Sequence, residues 1–155
     1  MKAVWYYDFP TGTMGIAQEN DAITNIFFKG LGNFDGHEIM ETQLIKRTAT
    51  EIEEYFAGRR KSFDIPLSMS GTDFQRSVWK ALQTIPFGET RSYKDIAVQI
   101  GNPKACRAVG MANNKNPVAI IVPCHRVIGH DGSMTGYAGG IDVKEYLLNV
   151  EKRNA

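Results

Sequence analysis

The stretch V-A-I-I-V-P-C-H-R-V, residues 118–127, places a continuous apolar run directly before a cysteine and a histidine. An uninterrupted apolar run of this kind predicts a buried strand. Proline ends the strand, because it has no N–H to donate to the ladder. Cys124 would then lie at a fixed point beside His125, a base able to keep the cysteine as thiolate. The sequence therefore predicts a strand that delivers a nucleophilic cysteine.

Length and composition allow one ordinary domain, or one domain with a smaller partner. The chain has 155 residues, of which 43% are hydrophobic, and a formal net charge of +1. Residues 70–155 carry 11 basic and 7 acidic residues, whereas residues 1–69 carry 7 and 10. The half with the cysteine motif is therefore better suited to an anionic partner. Ordinary charge scatter explains the same asymmetry equally well.

Cysteine content and apolar runs indicate the compartment. Two cysteines, Cys106 and Cys124, are too few for a disulfide scaffold and favour a reducing environment. No apolar run approaches the roughly 18 residues of a membrane span. Residues 1–8 lack the apolar region of a signal peptide. We therefore expect a cytoplasmic protein, nuclear if the source is eukaryotic, with no membrane partner.

The N-terminal part of the chain has the pattern of a small antiparallel sheet followed by a helix. Three apolar groups separated by turn residues predict a meander of strands: Val4–Tyr7, Met14–Ala17 and Ile23–Phe28. Residues 39–57 show a helical stripe that ends at Gly58. Residues 59–71 have the composition of a connection. We expect a supporting domain over residues 1–69 and a second domain over residues 70–155.

The C-terminal part predicts a mostly helical domain. Residues 72–75 form a capping box before one helix, and Ser92 resembles a second cap. Gly101 ends the second helix, and Asn102-Pro103 predicts the start of another that continues over residues 105–113. Two helices joined by a glycine turn have helix-turn-helix spacing, although many helical hairpins share it without binding DNA.

The second helix of this pair is rich in small residues. Ala108 and Gly110 help to keep it slim, and Arg107 projects among them. A slim helix can approach a DNA groove closely, with its arginine directed into the base stack or at phosphate. A tight helix–helix contact with Arg107 exposed is the alternative. With a last helix capped at Asp142, the predicted fold class is α/β (α+β): a small N-terminal antiparallel sheet with a helix, then a mostly helical domain.

A zinc site and a papain-like hydrolase are the alternatives for the Cys-His pair. Cys106, Cys124, His125 and His130 add up to four ligands, but no pair of them has a recognised ligand spacing. A papain-like enzyme needs its cysteine at a helix N-terminus and a distant histidine. Cys124 is instead predicted to follow a strand, which disfavours that class.

Five segments stand in the order and at the spacing of a known family: Arg107–Gly110, Asn116–Pro117, Pro123–Ile128, Gly136–Gly140 and Lys144–Glu151. Together they resemble the O6-alkylguanine-DNA alkyltransferases, or methylated-DNA–protein-cysteine methyltransferases. The resemblance covers about residues 70 to 151, and residues 1–65 match only in size and general character. It implies direct-reversal DNA repair, in which an alkyl group passes irreversibly from a flipped O6-alkylguanine, or O4-alkylthymine, to the enzyme's own cysteine. Each molecule would act once.

The resemblance assigns catalytic roles to five residues. Cys124 would accept the alkyl group, and His125 would draw off the thiol proton through water. Glu151 would hold the tautomer of His125 and stabilise its imidazolium form. Asn116 would hold the turn beside the cysteine, and Tyr93 would donate a proton near N3 of the departing guanine.

The resemblance also implies contacts with DNA and with the alkylated base. Arg107 matches the family's arginine finger, which fills the gap left by a flipped nucleotide. The other expected DNA-binding residues are Ala108, Tyr93, Lys104 and Lys94. The expected pocket residues are Tyr137, Ala138, Val127 and Met134. Some family members have serine where Ala138 stands, so this chain lacks one hydroxyl donor to guanine O6.

Two other functions remain to be compared with alkyl transfer. A non-catalytic alkyltransferase-like protein would bind alkylated bases and recruit other repair, but such relatives lack the acceptor cysteine. A transcriptional regulator would need a dimerising segment and more base-reading side chains than the second helix offers. We expect a monomer that acts on double-stranded DNA containing alkylated guanine, without a cofactor. We also expect no metal, because residues 1–69, where some relatives bind zinc, hold no cysteine and only His37.

Overall fold

The computed structural model describes all residues, Met1–Ala155, and the chain forms two compact units. Unit 1 comprises Met1–Ser70 together with Pro117–Ala119, and unit 2 comprises Gly71–Asn116 together with Ile120–Ala155. The predicted boundary between residues 69 and 70 therefore does not account for residues 117–119, which belong to unit 1.

Unit 1 is built on a four-stranded sheet with the order β3-β2-β1-β4. The strands are β1 (Lys2–Phe9), β2 (Gly12–Glu19), β3 (Ala22–Phe28) and β4 (Glu38–Ile39). The first three form the predicted antiparallel meander, and β4 pairs with β1 in parallel. Helix α1 (Gln43–Phe56) follows Thr42, whose hydroxyl oxygen accepts from the N–H of Ile45 at 3.1 Å. The helix predicted over residues 39–57 began too early, because residues 38–39 pair in the sheet.

Unit 2 contains four helices, a 3-10 helix and a two-stranded parallel sheet. Its elements are α2 (Asp73–Leu82), β5 (Arg91–Ser92), α3 (Tyr93–Gln99), α4 (Cys106–Asn114), the 3-10 helix (Cys124–Arg126), β6 (Val127–Ile128) and α5 (Ile141–Asn154). Both predicted caps are present, with Thr72 and Gln75 before α2 and Ser92 and Asp95 before α3. No helix in the structure combines the length and hydrophobicity needed to cross a bilayer.

Two helices of unit 2 begin at residues other than those predicted. The chain forms a turn after Asn102, and α4 begins at Cys106 without a side-chain cap, so Asn102-Pro103 is not its start. Helix α5 begins directly after Gly140 rather than at Asp142. Between α3 and α4, Gly101 adopts φ +80°, a left-handed conformation that favours glycine. The helix-turn-helix pair is therefore present, with a longer turn than the sequence indicated.

The apolar run before Cys124 is buried, but it does not form the predicted strand. Val118 makes one isolated bridge with Ile26 of β3. Ile120 then adopts φ +71°, which turns the chain away from an extended path. Val118 and Ile120 are 0% and 1% exposed, and a buried turn has the same continuous apolar pattern as a buried strand. Cys124 therefore begins a 3-10 helix instead of following a strand.

Candidate active site

Two asparagine side chains hold the backbone on either side of Cys124. The amide Nδ2 of Asn116 donates to the carbonyl of Val122 at 2.8 Å. The amide Nδ2 of Asn113, in the last turn of α4, donates to the carbonyl of Cys124 at 3.3 Å. The position of the cysteine is thus fixed by the C-terminal end of α4. Sequence analysis selected Asn116 and missed Asn113, which nothing in its local pattern distinguishes from a helix-terminal asparagine.

Burial dominates the protonation of Cys124, which is 7% exposed. It raises the pKa of the thiol to about 11, although a hydrogen bond with Asn116, the charge of Lys144 and nearby backbone N–H groups act in the opposite direction. The thiol of the free protein is therefore protonated at neutral pH. Formation of the nucleophilic thiolate requires a base during the reaction.

His125 and Glu151 meet although they are 26 residues apart, with 2.5 Å between His125 Nε2 and Glu151 Oε2. Because Nε2 faces a carboxylate, the neutral imidazole carries its proton there and its lone pair on Nδ1. Burial lowers the pKa of His125, although Glu151 acts to raise it. His125 is thus a neutral imidazole whose Nδ1 can receive a proton.

Four donors occupy the carboxylate of Glu151. Arg126 Nε and the backbone N–H of Gly88 donate to Oε1 at 2.8 and 3.0 Å, while Arg126 Nη2 donates to Oε2 at 3.2 Å beside His125. Burial acts to raise the pKa of Glu151, but its bonds with His125 and Arg126 outweigh burial and hold the pKa at about 2. Glu151 is therefore ionised at neutral pH.

A buried lysine ties the loop at residues 129–140 to the rest of unit 2. Lys144 is 0% exposed, and its Nζ donates to the carbonyls of Val127 at 2.6 Å and Thr135 at 2.8 Å. The hydroxyl of Tyr93 donates to the same Thr135 carbonyl at 3.0 Å. One carbonyl therefore joins the loop to α3 and α5. Sequence analysis missed Lys144 as a site residue, because lysine is rarely fully buried and a lysine in a helix is normally expected on the solvent-exposed face.

A surface depression of about 450 Å³ lies beside this loop. Its lining residues come from α3, α4 and the loop: Tyr93, Cys106, Arg107, Gly110, Met111, Asn114 and Thr135. Gly136 adopts φ +59°, and a Cβ at that position would lie 3.3 Å from Asn114 Nδ2 and 3.7 Å from Tyr93 Oη. Glycine is favoured there, because the left-handed backbone angle strains other residues and a Cβ would crowd the amide of Asn114.

The predicted DNA-binding and pocket residues differ in accessibility. On the helix pair and in the turn between its helices, Tyr93 is half-buried, and four predicted residues are exposed: Lys94, Lys104, Arg107 and Ala108. Of the predicted pocket residues, Val127 is buried, Met134 and Tyr137 are half-buried and Ala138 is exposed. Burial raises the pKa of Tyr137, and Cys124 acts in the same direction when it is ionised.

The zinc alternative lacks a ligand set in the structure. No three His, Cys, Asp or Glu side chains come together as a potential metal site, and Cys106 and Cys124 are both free thiols. A papain-like arrangement is also absent, since Cys124 starts a three-residue 3-10 helix and its histidine is the next residue.

Fold and site together define a helix-turn-helix protein with a buried cysteine beside a histidine–glutamate pair. Family models match both parts of the chain: the DNA binding domain of 6-O-methylguanine DNA methyltransferase over residues 73–153, and its ribonuclease-like domain over residues 4–69. The chain belongs to the 6-O-methylguanine DNA methyltransferase family.

Curated relatives and solved structures agree with this assignment. A methylated-DNA–protein-cysteine methyltransferase of Methanosarcina barkeri is 50% identical over 155 residues, covering 96% of this chain and 98% of the relative. The constitutive enzyme of that name from Bacillus subtilis is 48% identical, covering 92% and 91%. Mycobacterium tuberculosis OGT, solved in complex with DNA, has a TM-score of 0.93 at 47% identity, covering 99% and 94%. The mixed α/β fold and the family predicted from the sequence are confirmed.

Proposed function

We propose that this chain repairs DNA by direct reversal, taking the alkyl group from O6-alkylguanine in duplex DNA onto Cys124. Family membership supports alkyl transfer, and the relative solved with DNA supports DNA as the partner. The observation that carries the assignment to particular atoms is the buried Cys124 next to His125, whose Nε2 lies 2.5 Å from Glu151.

The proposed reaction is a single displacement at the alkyl carbon. The sulfur of Cys124 forms a bond to that carbon while the bond from carbon to guanine O6 breaks, and its electron pair stays on the guanine. The thiol proton passes through water to Nδ1 of His125, and Glu151 stabilises the resulting imidazolium. Tyr93 donates a proton near N3 of the leaving guanine, and exchange with solvent restores both side chains. The products are a neutral guanine and a neutral thioether.

The thioether makes the reaction a single turnover, because it has no good leaving group. The same displacement applies to O4-alkylthymine, in which the alkyl carbon is also bonded to an exocyclic oxygen of the base. Cys124, His125, Glu151, Asn116 and Tyr93 all belong to unit 2 of one chain, so we propose that the protein acts as a monomer. Unit 1 has a supporting role in this proposal.

Base flipping follows from the burial of the nucleophile. Guanine O6 is paired inside duplex DNA, and a protein that reacts there must extrude the nucleotide. Arg107, which is exposed on α4, would fill the resulting gap, and the extruded base would meet Tyr137, Ala138, Val127 and Met134. Lys94, Lys104 and the small Ala108 would contact the backbone of the DNA. Binding should therefore weaken with salt and show little sequence preference.

A stoichiometric assay tests this function. With an excess of duplex oligonucleotide containing labelled O6-methylguanine, we expect rapid transfer of about one methyl group per protein molecule. After that, no more methyl groups should be removed from the DNA. Cys124→Ser should bind the same duplex without removing methyl groups, and Cys106→Ser is the matched control that should keep full transfer. Continued turnover contradicts the mechanism. Binding by the unaltered protein without any transfer would instead favour the non-catalytic alkyltransferase-like alternative.

A further inference from the structure

Arg126 is a buried cation with no role in the steps described so far. It is 6% exposed, and its three donor nitrogens all have partners within unit 2. Nε and Nη2 donate to the two oxygens of Glu151 at 2.8 and 3.2 Å, and Nη1 donates to the carbonyl of Ile85 at 2.6 Å. The guanidinium carbon also lies 5.8 Å from the ring centre of Phe87. A cation buried so completely needs compensating partners, because desolvation of a charge is unfavourable, and Glu151 and the Ile85 carbonyl provide them.

The first effect of Arg126 is geometric. A two-pronged contact between guanidinium and carboxylate fixes the plane of the carboxylate as well as its position. The backbone N–H of Gly88 is a third donor to the carboxylate and binds Oε1, so Oε2 of Glu151 is held toward His125 Nε2. The imidazole is thereby oriented with Nε2 toward α5, and Nδ1 remains the nitrogen that receives the proton.

The second effect is electrostatic. Four charged or titratable groups face His125: Glu151 and Lys144 from α5, Arg126 from its own 3-10 helix, and Cys124 beside it. A carboxylate alone would favour the protonated imidazolium, which cannot act as a base. Burial is the main cause that lowers the pKa of His125, and Arg126 acts in the same direction by offsetting part of the carboxylate charge, so His125 stays neutral until the thiol proton arrives.

We propose that Arg126 is a positioning residue for proton transfer from Cys124 to His125, acting through Glu151. The S–H bond of Cys124 breaks, an N–H bond forms at Nδ1 of His125, and Arg126 itself neither gains nor loses a proton. This inference rests on the proposed alkyl transfer, but part of its test needs no substrate.

The substrate-independent measurement is the ¹⁵N NMR titration of His125 in the free protein, assigned with His37→Gln and His130→Gln variants. In the unaltered protein, we expect a neutral imidazole with its proton on Nε2 at pH 7. In Arg126→Gln, the uncompensated carboxylate should raise the titration midpoint of His125 by about one pH unit. Arg126→Lys keeps the charge, so its midpoint should stay near that of the unaltered protein.

The second measurement is the rate of methyl transfer as a function of pH. The acidic limb of the profile should move to higher pH in Arg126→Gln and stay in place in Arg126→Lys. Arg126→Lys lacks the planar guanidinium that binds both oxygens of Glu151, so its methyl-transfer rate should fall about tenfold at every pH. This loss is smaller than the roughly 100-fold or greater rate effect of a general base, because His125 itself is still present. Val78→Ala, a truncation of a fully buried residue in α2, controls for lost stability and should move neither the NMR midpoint nor the acidic limb.

The outcomes separate this inference from the proposed function. An unshifted His125 midpoint in Arg126→Gln overturns the positioning role, even if the unaltered protein transfers methyl groups. If Arg126→Gln does not fold, the test rests on Arg126→Lys. An unchanged His125 tautomer together with an unchanged methyl-transfer rate in that variant also overturns the positioning role. Absence of transfer by the unaltered protein contradicts the proposed function alone, because the NMR titration still reports on Arg126.

Discussion

At the scale of single residues, the site depends on buried polar groups that neutralise one another. His125, Arg126, Lys144 and Glu151 are all at most 6% exposed, a degree of burial that charged side chains tolerate only when they are paired. The consequence is that removing one partner leaves another charge or carbonyl buried without compensation, and stability and chemistry should be lost together.

Glu151→Gln should reveal this coupling through the pH dependence of stability. The pKa of Glu151 is held at about 2, below its ordinary value of 4.5, so its contribution is complete above about pH 5 and is lost as the pH falls toward 2. We expect the variant to lose roughly 3–5 kcal/mol of unfolding free energy at pH 7, and the difference to shrink between pH 5 and pH 2. Urea denaturation across this range measures it. Glu145→Gln, at an exposed position of α5, is the control, and a difference independent of pH would contradict the assignment.

Lys144→Met should loosen the loop at residues 129–140. The substitution leaves the carbonyls of Val127 and Thr135 without their buried amine, which should cost roughly 2–5 kcal/mol of unfolding free energy. We also expect faster proteolytic cleavage within the loop under native conditions. Lys152→Met, at an exposed position of the same helix, should change neither quantity. Equal cleavage rates in the two variants would show that Lys144 does not anchor the loop.

At the scale of elements, the capping box of α3 sets the position of Tyr93, the first residue of that helix. Ser92→Ala should lower the unfolding free energy by about 1 kcal/mol and slow repair, because Tyr93 loses the fixed start of its helix. Thr72→Ala removes the equivalent cap of α2 and should cost about as much stability without changing the repair rate. Denaturation and single-turnover kinetics on both variants check this. Equal repair rates would remove the link between the cap and Tyr93.

Helix α4 should matter for DNA more than for chemistry. Arg107 is exposed in the depression beside Tyr93, away from the contact between His125 and Glu151. Arg107→Ala should therefore slow repair of duplex DNA strongly, yet leave reaction with free O6-methylguanine nearly unchanged. If Arg107 contacts phosphate, the salt dependence of binding should also weaken by about one counterion. Arg76→Ala, which removes an exposed cation of α2, is the control. An equal loss with the free base would contradict the finger role.

Elements differ in how well their sequence predicted them. The meander and both capping boxes follow from local patterns, and the structure confirms them. The prediction of a strand before Cys124 is wrong, because Ile120 adopts a left-handed conformation that the hydrophobicity of residues 118–122 does not reveal. The predicted start of α4 at Asn102-Pro103 is wrong, because an Asn-Pro pair is equally compatible with the turn that it forms here. Tertiary packing, rather than local propensity, determines which of the two forms.

At the scale of the whole molecule, the candidate site is assembled from residues distant in the chain. Glu151 meets His125 across 26 residues, and Tyr93 meets Thr135 across 42. No periodicity predicts such contacts, so the roles of Glu151, Asn116 and Tyr93 follow only from the family resemblance. Arg126 and Lys144 lie inside the quoted motifs but were not selected, because their importance depends on burial, which one sequence does not show for charged residues.

Covalent mapping of the transferred group tests the central claim most directly. The protein is incubated with duplex DNA containing isotopically labelled O6-methylguanine, digested and examined by tandem mass spectrometry. The account predicts one labelled methyl group per molecule, on the peptide that contains Cys124, with Cys106 unlabelled. Label on any other residue, or complete loss of methyl from the DNA with Cys124 unmodified, would contradict it.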